Sequence, residues 1–298
     1  MWKLILVLLL STIGMNFAEA SCPIGYPPGL PCPTEPYELV PTEHQDRLNR
    51  LNRLSAGIVY PQFHTEFLSP AEHGLPDYPV RIPVLRVVFD QNVFFDVDSA
   101  VVRPEAYPVL DVIADDLKRE PPDVSLFIAG HTDSTGNDRY NADLGLRRAD
   151  AVAQALVRRG IYQASVYRVS FGEAVPIADN TTDDGRARNR RVEFLFGAKA
   201  QAVAKWLEKQ PVDTCSARTE VDMARCRKAL VFEAVKVMVA PSHQKDVAEL
   251  SRRQQEVESN INLSPQELTR EKQEIELERR RIPVLLSTEK IPIQLGAK

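Results

Sequence analysis

Asp133 and Arg148 are the residues whose types and placing could do chemistry. Arg148 lies on the line Tyr140, Leu144, Arg148, Val152, Leu156, whose members fall four apart on one face of a helix. That line otherwise faces a core, whereas the neighbouring Arg147 falls off it and is expected in solvent. A guanidinium on such a stripe needs an acidic partner, because an unpaired buried charge is very costly. Asp133 is the expected partner, just past the end of a strand at 124–129, and strand ends are where ligands sit in α/β sheets. A carboxylate and a guanidinium at one mouth could hold a free amino-acid end. Asp133 would take the ammonium, and Arg148 the carboxylate in a two-bond fork. A structural ion pair fixing helix to loop is the other reading, and periodicity alone leaves both open.

The elements that must position this pair follow from patterning. Val84–Phe89 and Val93–Phe95 are rich in β-branched and aromatic residues and read as strand, with Asp90-Gln91-Asn92 as a turn or bulge. A helix begins between Pro104 and Pro108, where proline's missing N–H costs least, and Pro121-Pro122 stops it. A strand at Val124–Ala129 leads to a second helix, from Asp138 to its cap at Gly160. Strands at Val166–Phe171 and Val192–Phe196 follow, joined by a loop with Pro176 and Gly185. The order is β-α-β-α-β-β, an α/β two-layer sandwich over residues 84–197.

The flanks differ from this centre. Residues 21–83 carry Pro23, Pro27, Pro28, Pro31, Pro33, Pro36 and Pro41 and read as a linker with one short helix at His44–Leu54. Residues 198–298 read as a mainly helical extension, with helices at 198–209, 220–239, 244–260 and 265–281 and an extended close at 282–295. Val247, Leu250, Val257 and Ile261 keep an a/d spacing, and Leu268, Ile275 and Ile282 recur every seven. The runs are too short for a long coiled coil but suit an antiparallel helical hairpin.

Composition limits the function classes. The chain has 298 residues and a net charge of −4, against the basic excess of a nucleic-acid binder. Lys3, the apolar run Leu4–Leu10 and Ala18-Glu19-Ala20 form a secretory signal, expected to be cleaved after residue 20. No later stretch is apolar enough to span a membrane as a helix. Cys22 raises the question of lipidation, but Glu19-Ala20-Ser21 lacks an apolar residue three positions upstream, which favours soluble export. The four cysteines form two close pairs, Cys22 with Cys32 and Cys215 with Cys226, candidates for disulfides in an oxidising compartment. Four cysteines allow three connectivities, and spacing does not choose among them. H-E-x-x-H, G-x-S-x-G and the P-loop are absent, and Asp183-Asp184 lacks calcium-loop spacing. The expectation is no enzyme, no cofactor and no metal.

Gly130-His131-Thr132-Asp133-Ser134-Thr135-Gly136, then Tyr140-Asn141, Leu144, Arg148-Ala149 and Val152, resembles the peptidoglycan-associated OmpA-like domain. So do Gly172-Glu173-x-x-Pro176, Asn189-Arg190-Arg191-Val192-Glu193 and the opening Phe94-Phe95-Asp96-Val97-Asp98-Ser99-Ala100. The likeness covers residues 85–197. It implies a non-catalytic domain that binds the diaminopimelate of the wall's stem peptide. By this likeness Asp133 and Arg148 hold the ammonium and carboxylate, Asn141 and Arg190 add polar contacts, and Val97-Asp98 walls the pocket. Val97 departs from the aromatic residue of some relatives. The plainer readings are a backbone-bonding helix-turn residue for Asn141, a solvated edge pair for Arg190 and Arg191, and a structural donor for His131. The resemblance implies a periplasmic, wall-associated protein of a Gram-negative envelope, at the inner face of the outer membrane. Residues 198–298 are the expected contact for another envelope protein. The alternatives are a membrane-anchored, stator-like or envelope-complex subunit with the same domain, and an enzyme with its activity in the C-terminal extension. A barrel before the domain needs at least about eight strands, which residues 21–83 cannot supply.

Overall fold

The computed structural model describes residues 40–55, 61–70, 74–75, 81–96, 98–121, 123–161, 164–210 and 230–295. The signal segment, the four cysteines with their expected pairings, and Val97 lie outside the described residues.

The expected β-α-β-α-β-β unit forms the centre. Its strands are β2 (Ile82–Asp90), β3 (Ser125–His131), β4 (Ser165–Gly172) and β5 (Arg191–Gly197). Its crossover helices are α3 (Tyr107–Leu117), entered through a 3-10 turn at Pro104–Ala106, and α4 (Asp138–Val157). β5 lies between β2 and β3, antiparallel to both, while β3 and β4 run parallel. Every residue of β3 and β5 is buried, as befits strands with a neighbour on each side and side chains covered on both faces.

Both flanks extend this sheet. α1 (Val40–Ser55) runs past both ends of the helix expected at 44–54, and β1 (Gln62–Leu68), a strand not anticipated, pairs with β2. β6 (Leu230–Val239) and β7 (Val284–Leu295) form a long antiparallel ribbon that joins the sheet through β4. The sheet order is β1-β2-β5-β3-β4-β6-β7. Between the ribbon's strands stand α7 (Gln244–Ser259) and α8 (Pro265–Arg281). Glu258 meets Lys272 while Arg253 meets Glu278, so partners advance on one helix as they recede on the other. The expected antiparallel hairpin is therefore present.

Two expectations are corrected. Val93–Phe95 is not a strand: α2 (Gln91–Phe94) turns the chain there. Asp90 is paired with Arg191, the first residue of β5, so the ladder has no further partner. Phe94 instead packs in an aromatic cluster with Phe89 and Phe194, at centroid distances of 5.5 and 5.7 Å. The helix expected at 220–239 is a strand from Leu230 onward. The run Leu-Val-Phe-Glu-Ala-Val-Lys-Val-Met-Val is β-branched every few residues, which favours a pleated surface.

One face of the sheet carries α1, α3, α4 and α7 over a core including Leu85, Phe196, Leu126, Val152 and Val247. α6 (Ala200–Glu208) covers the other face, with Val203, Trp206 and Leu207 against Phe127, Tyr167 and Leu195. α1 is fixed by buried charge. Arg47 reaches Glu120 at 2.5 Å, and Arg50 reaches Asp116 at 2.6 Å.

Candidate functional site

The site lies at the C-terminal ends of β3 and β4, where α4 rides unusually close to the sheet. A Cβ on Gly130 would run into the Gly145 carbonyl, and one on Gly145 into Ser170 Oγ, so both positions need glycine for the approach. This contact brings the first turns of α4 over the loop that follows β3. Asn137 caps the helix by accepting from the Tyr140 N–H at 2.9 Å.

Arg148 is where periodicity placed it. It is 2% exposed, in line with the buried Leu144, Val152 and Leu156. Tyr140, the first member of that line, is exposed instead. It sits at the mouth of the site, where its hydroxyl donates to Asp98.

The partner expected for Arg148 is not the one it finds. Its Nε donates to the Ser99 carbonyl at 2.9 Å, and its guanidinium lies over the Phe95 ring, 5.6 Å from the centroid. Among the described residues it forms no ion pair. Burial lowers its pKa from the ordinary value, while Asp98, Tyr140 and Asp133 act to raise it and Arg190 to lower it further. The five groups thus share one neighbourhood. The reason for the different pairing is local. α5 (Asp183–Asn189), a helix absent from the sequence reading, ends with Arg190 as its C-cap and delivers that side chain to Asp133. Arg190 Nη1 meets Asp133 Oδ2 at 2.7 Å, and Thr135 N–H donates to Oδ1 at 2.9 Å. Burial pushes the Asp133 carboxyl up, but the Arg190 and Thr135 hydrogen bonds outweigh it and hold the pKa below the ordinary carboxylate value.

Asn141 is buried and reaches the loop after β3. Its Nδ2 donates to the carbonyls of Asp133 and Thr135, each at 3.2 Å, and to Glu173. The backbone-bonding reading of Asn141 therefore holds for the loop, not for its own helical turn. Glu173, just past the end of β4, is the acidic member of the Gly172-Glu173-x-x-Pro176 motif. Burial raises its pKa, and the Asn141 hydrogen bond lowers it. Asp98 has φ +58, a left-handed conformation that aspartate tolerates better than most residues, and so turns the 96–103 loop toward α4.

Arg191 and His131 leave this mouth. Arg191, read as half of a solvated edge pair, is 1% exposed. Its Nε meets Glu193 at 2.6 Å, and other guanidinium nitrogens donate to the carbonyls of Val175 and Asn189. Arg86 binds the same carboxylate at 2.5 and 2.9 Å. His131 Nε2 lies 3.7 Å from Glu193. Burial, reinforced by Arg191, pushes its pKa well below the usual range, so the ring is neutral and structural. The missed signal was the alternation Arg191–Val192–Glu193, which puts two opposite charges on one strand face.

Among the described residues no group of three or more His, Cys, Asp or Glu could hold a metal, and no helix is long and apolar enough to cross a membrane. The arrangement can bind a zwitterion. It offers an anion held by a half-exposed cation and a buried cation without an anion, close together.

Comparison with known proteins finds a family likeness over the same part of the chain. Residues 94–190 match the OmpA family. Outer membrane porin F of Pseudomonas fluorescens is 45% identical over 120 residues, which are 40% of this chain and 36% of the relative. Peptidoglycan-associated lipoprotein of Pseudomonas aeruginosa is 44% identical over 101 residues, 34% of this chain and 59% of the relative. The chain thus spans between about a third and three fifths of the length of these relatives. The solved structure of the peptidoglycan-associated lipoprotein from Burkholderia pseudomallei is 34% identical, covers 35% of this chain and 86% of that one, and has a TM-score of 0.32. The matched stretch takes in Asp133, Asn141, Arg148 and Arg190 together, so these four residues lie in a segment that is similar to the OmpA family.

Proposed function

We propose that the 84–197 domain binds peptidoglycan without cleaving it, by holding the diaminopimelate of the stem peptide at the Asp133–Arg148 mouth, and so anchors an exported envelope protein to the cell wall. The observation that carries this reading is the buried guanidinium of Arg148, which has no carboxylate partner among the described residues, beside an Asp133 that is paired with Arg190. An ion-pair scaffold would match the two to each other. A receptor leaves a charge to be completed by its ligand. Diaminopimelate presents an ammonium and a carboxylate on one carbon. Its carboxylate completes Arg148, its ammonium shares Asp133 with Arg190, and Arg190 is exposed enough to move. Asn141 and Glu173 hold the 133–135 loop in place, Asp98 with Tyr140 forms the opposite wall, and a contact from Val97, which lies outside the described residues, belongs to the same reading. Relatives whose names include outer membrane and peptidoglycan-associated proteins support a periplasmic, wall-associated location. The cleaved signal, the disulfides Cys22–Cys32 and Cys215–Cys226, and an envelope partner for residues 198–298 belong to the same reading.

The test is co-sedimentation with purified wall, using wild type, Asp133→Ala and Arg148→Ala, each first shown to be folded by circular dichroism. Folded variants that stay in the supernatant while wild type pellets support the clamp. Equal pelleting of all three overturns it. Competition by free meso-diaminopimelate, but not by lysine, identifies the ligand.

A further inference from the structure

A second site lies away from the wall-binding mouth, in a cleft of about 570 Å³ between the start of α3 and the α7–α8 hairpin. That volume is in the range of small-molecule pockets. Tyr107, Ile275 and the exposed Leu277 supply its apolar lining. Its charges do not balance. Arg159, Lys272, Arg279 and Arg280 face Asp111, Glu258 and Glu276. Arg159 takes two of the carboxylates, Asp111 at 2.7 Å and Glu276 at 3.0 Å, and Lys272 takes Glu258 at 3.0 Å.

Four cations against three carboxylates leave one positive charge in excess, and Arg279 and Arg280 are the least well matched. Arg279 is 4% exposed, bonds only the neutral Gln254 amide, and stands 3.7 and 3.9 Å from carboxylates already engaged by Arg159. Its Nε and the Tyr107 hydroxyl are buried without a partner. Burial, and then Arg159 as a like charge, push the Arg279 pKa down. Arg280 forms no ion pair among the described residues and lies over the Tyr107 ring, 5.5 Å from its centroid. An excess of cation in a chain of net charge −4 runs against the overall trend. A buried guanidinium that must share its carboxylates with a second arginine, and whose Nε has no partner, carries a cost that a bound anion reduces.

We propose that this cleft binds a small anionic amphiphile, with a carboxylate head at Arg279 and Arg280 and an apolar body along Tyr107, Ile275 and Leu277. The C-terminal hairpin is then one wall of a ligand site formed jointly with the OmpA-like domain. Charge and lining together select the class: a cation would meet the surplus arginines, and a fully polar anion would leave the apolar wall wet. The proposal does not depend on wall binding.

The experiment is isothermal titration of the full chain with decanoate, decanol and decyltrimethylammonium. Saturable one-site binding of decanoate, at least tenfold tighter than either of the others, is the expected result. Arg279→Gln is expected to weaken decanoate at least tenfold. Leu277→Glu, at an exposed position that leaves the core intact, is expected to do the same by placing a carboxylate on the apolar wall. Equal binding of decanoate and decanol, no binding of decanoate, or unchanged affinity in the Leu277→Glu protein overturns the proposal.

Discussion

Two clusters of charge lie within a few residues of each other at the ends of β3 and β5, and they are built to opposite rules. In one, Glu193 is gripped by Arg86 and Arg191, whose shortest contacts to the carboxylate are 2.5 and 2.6 Å, with neutral His131 alongside. In the other, Asp133 is shared with a half-exposed Arg190, and Arg148 has a carbonyl and an aromatic ring but no acid. The first cluster is closed on itself and holds the fold. The second is incomplete and faces outward. Neighbouring charge in the same sequence motif therefore separates into a closed cluster and an open one according to whether the protein supplies both signs.

Breaking the closed cluster is expected to have the largest effect. Glu193→Gln leaves the buried Arg191 and the half-buried Arg86 without their anion and should cost about 3–5 kcal/mol of stability, read by urea unfolding. The protein that still folds should pellet with wall as wild type does. Loss of binding in that folded fraction would show that the two clusters are one unit.

Next comes the geometry that separates them. Gly145→Ala drives a Cβ into Ser170 Oγ and to 3.0 Å from the Gly130 carbonyl. Forcing α4 off the sheet should cost about 1–3 kcal/mol. It should also weaken wall binding, because Asn141 and Arg148 move with the helix.

Arg148→Gln sharpens the contrast in the other direction. It leaves no acid unpaired and removes only a carbonyl hydrogen bond and a ring contact, about 1 kcal/mol in thermal unfolding. Wall affinity should fall about 10–100-fold, as for a lost charge-assisted bond. A large stability loss with binding retained would put Arg148 in the structural class.

The smallest expected effect is on acid stability. Both carboxyls have pKa values below their unfolded values, so each contributes stability above its unfolded pKa, about 4, and loses it as pH falls through the folded value. Asp133 is paired with a half-exposed Arg190, and Asp133→Asn should change the acid limb of a stability–pH curve by only about 0.5 kcal/mol. Glu193 should dominate that limb. Wall binding should weaken in the same acid range as Asp133 protonates.

How much of this was legible follows from how local each signal is. Arg148 stood out because a helix repeats every few residues and one charged member of an apolar line is visible without knowing the fold. Asp133 was found because strand ends are marked by glycine. Its actual partner was hidden, because Arg190 comes from a helix of seven residues, Asp183–Asn189, too short for any periodicity. Glu193 and Arg191 were hidden for a similar reason: the strand is buried on both faces, so charge and apolar residues no longer alternate between solvent and core. Val93–Phe95 looked like strand since its residues suit one. Only the end of β5 opposite Asp90 shows that no ladder remains for it. The ribbon strand at 230–239 lost to a helical reading for want of its partner at 284–295, which comes after two intervening helices.

The order of the central strands also sets when the molecule becomes competent. β5 occupies the slot between β2 and β3, and Arg86 on β2 lies 107 positions before its partner Glu193 on β5. Pairing over such a separation forms late, because the loop must close before the contact is rewarded. Arg190 enters with β5. A growing chain therefore cannot assemble the Asp133 mouth from its first half, and whatever that mouth holds must wait until the centre of the sheet has closed.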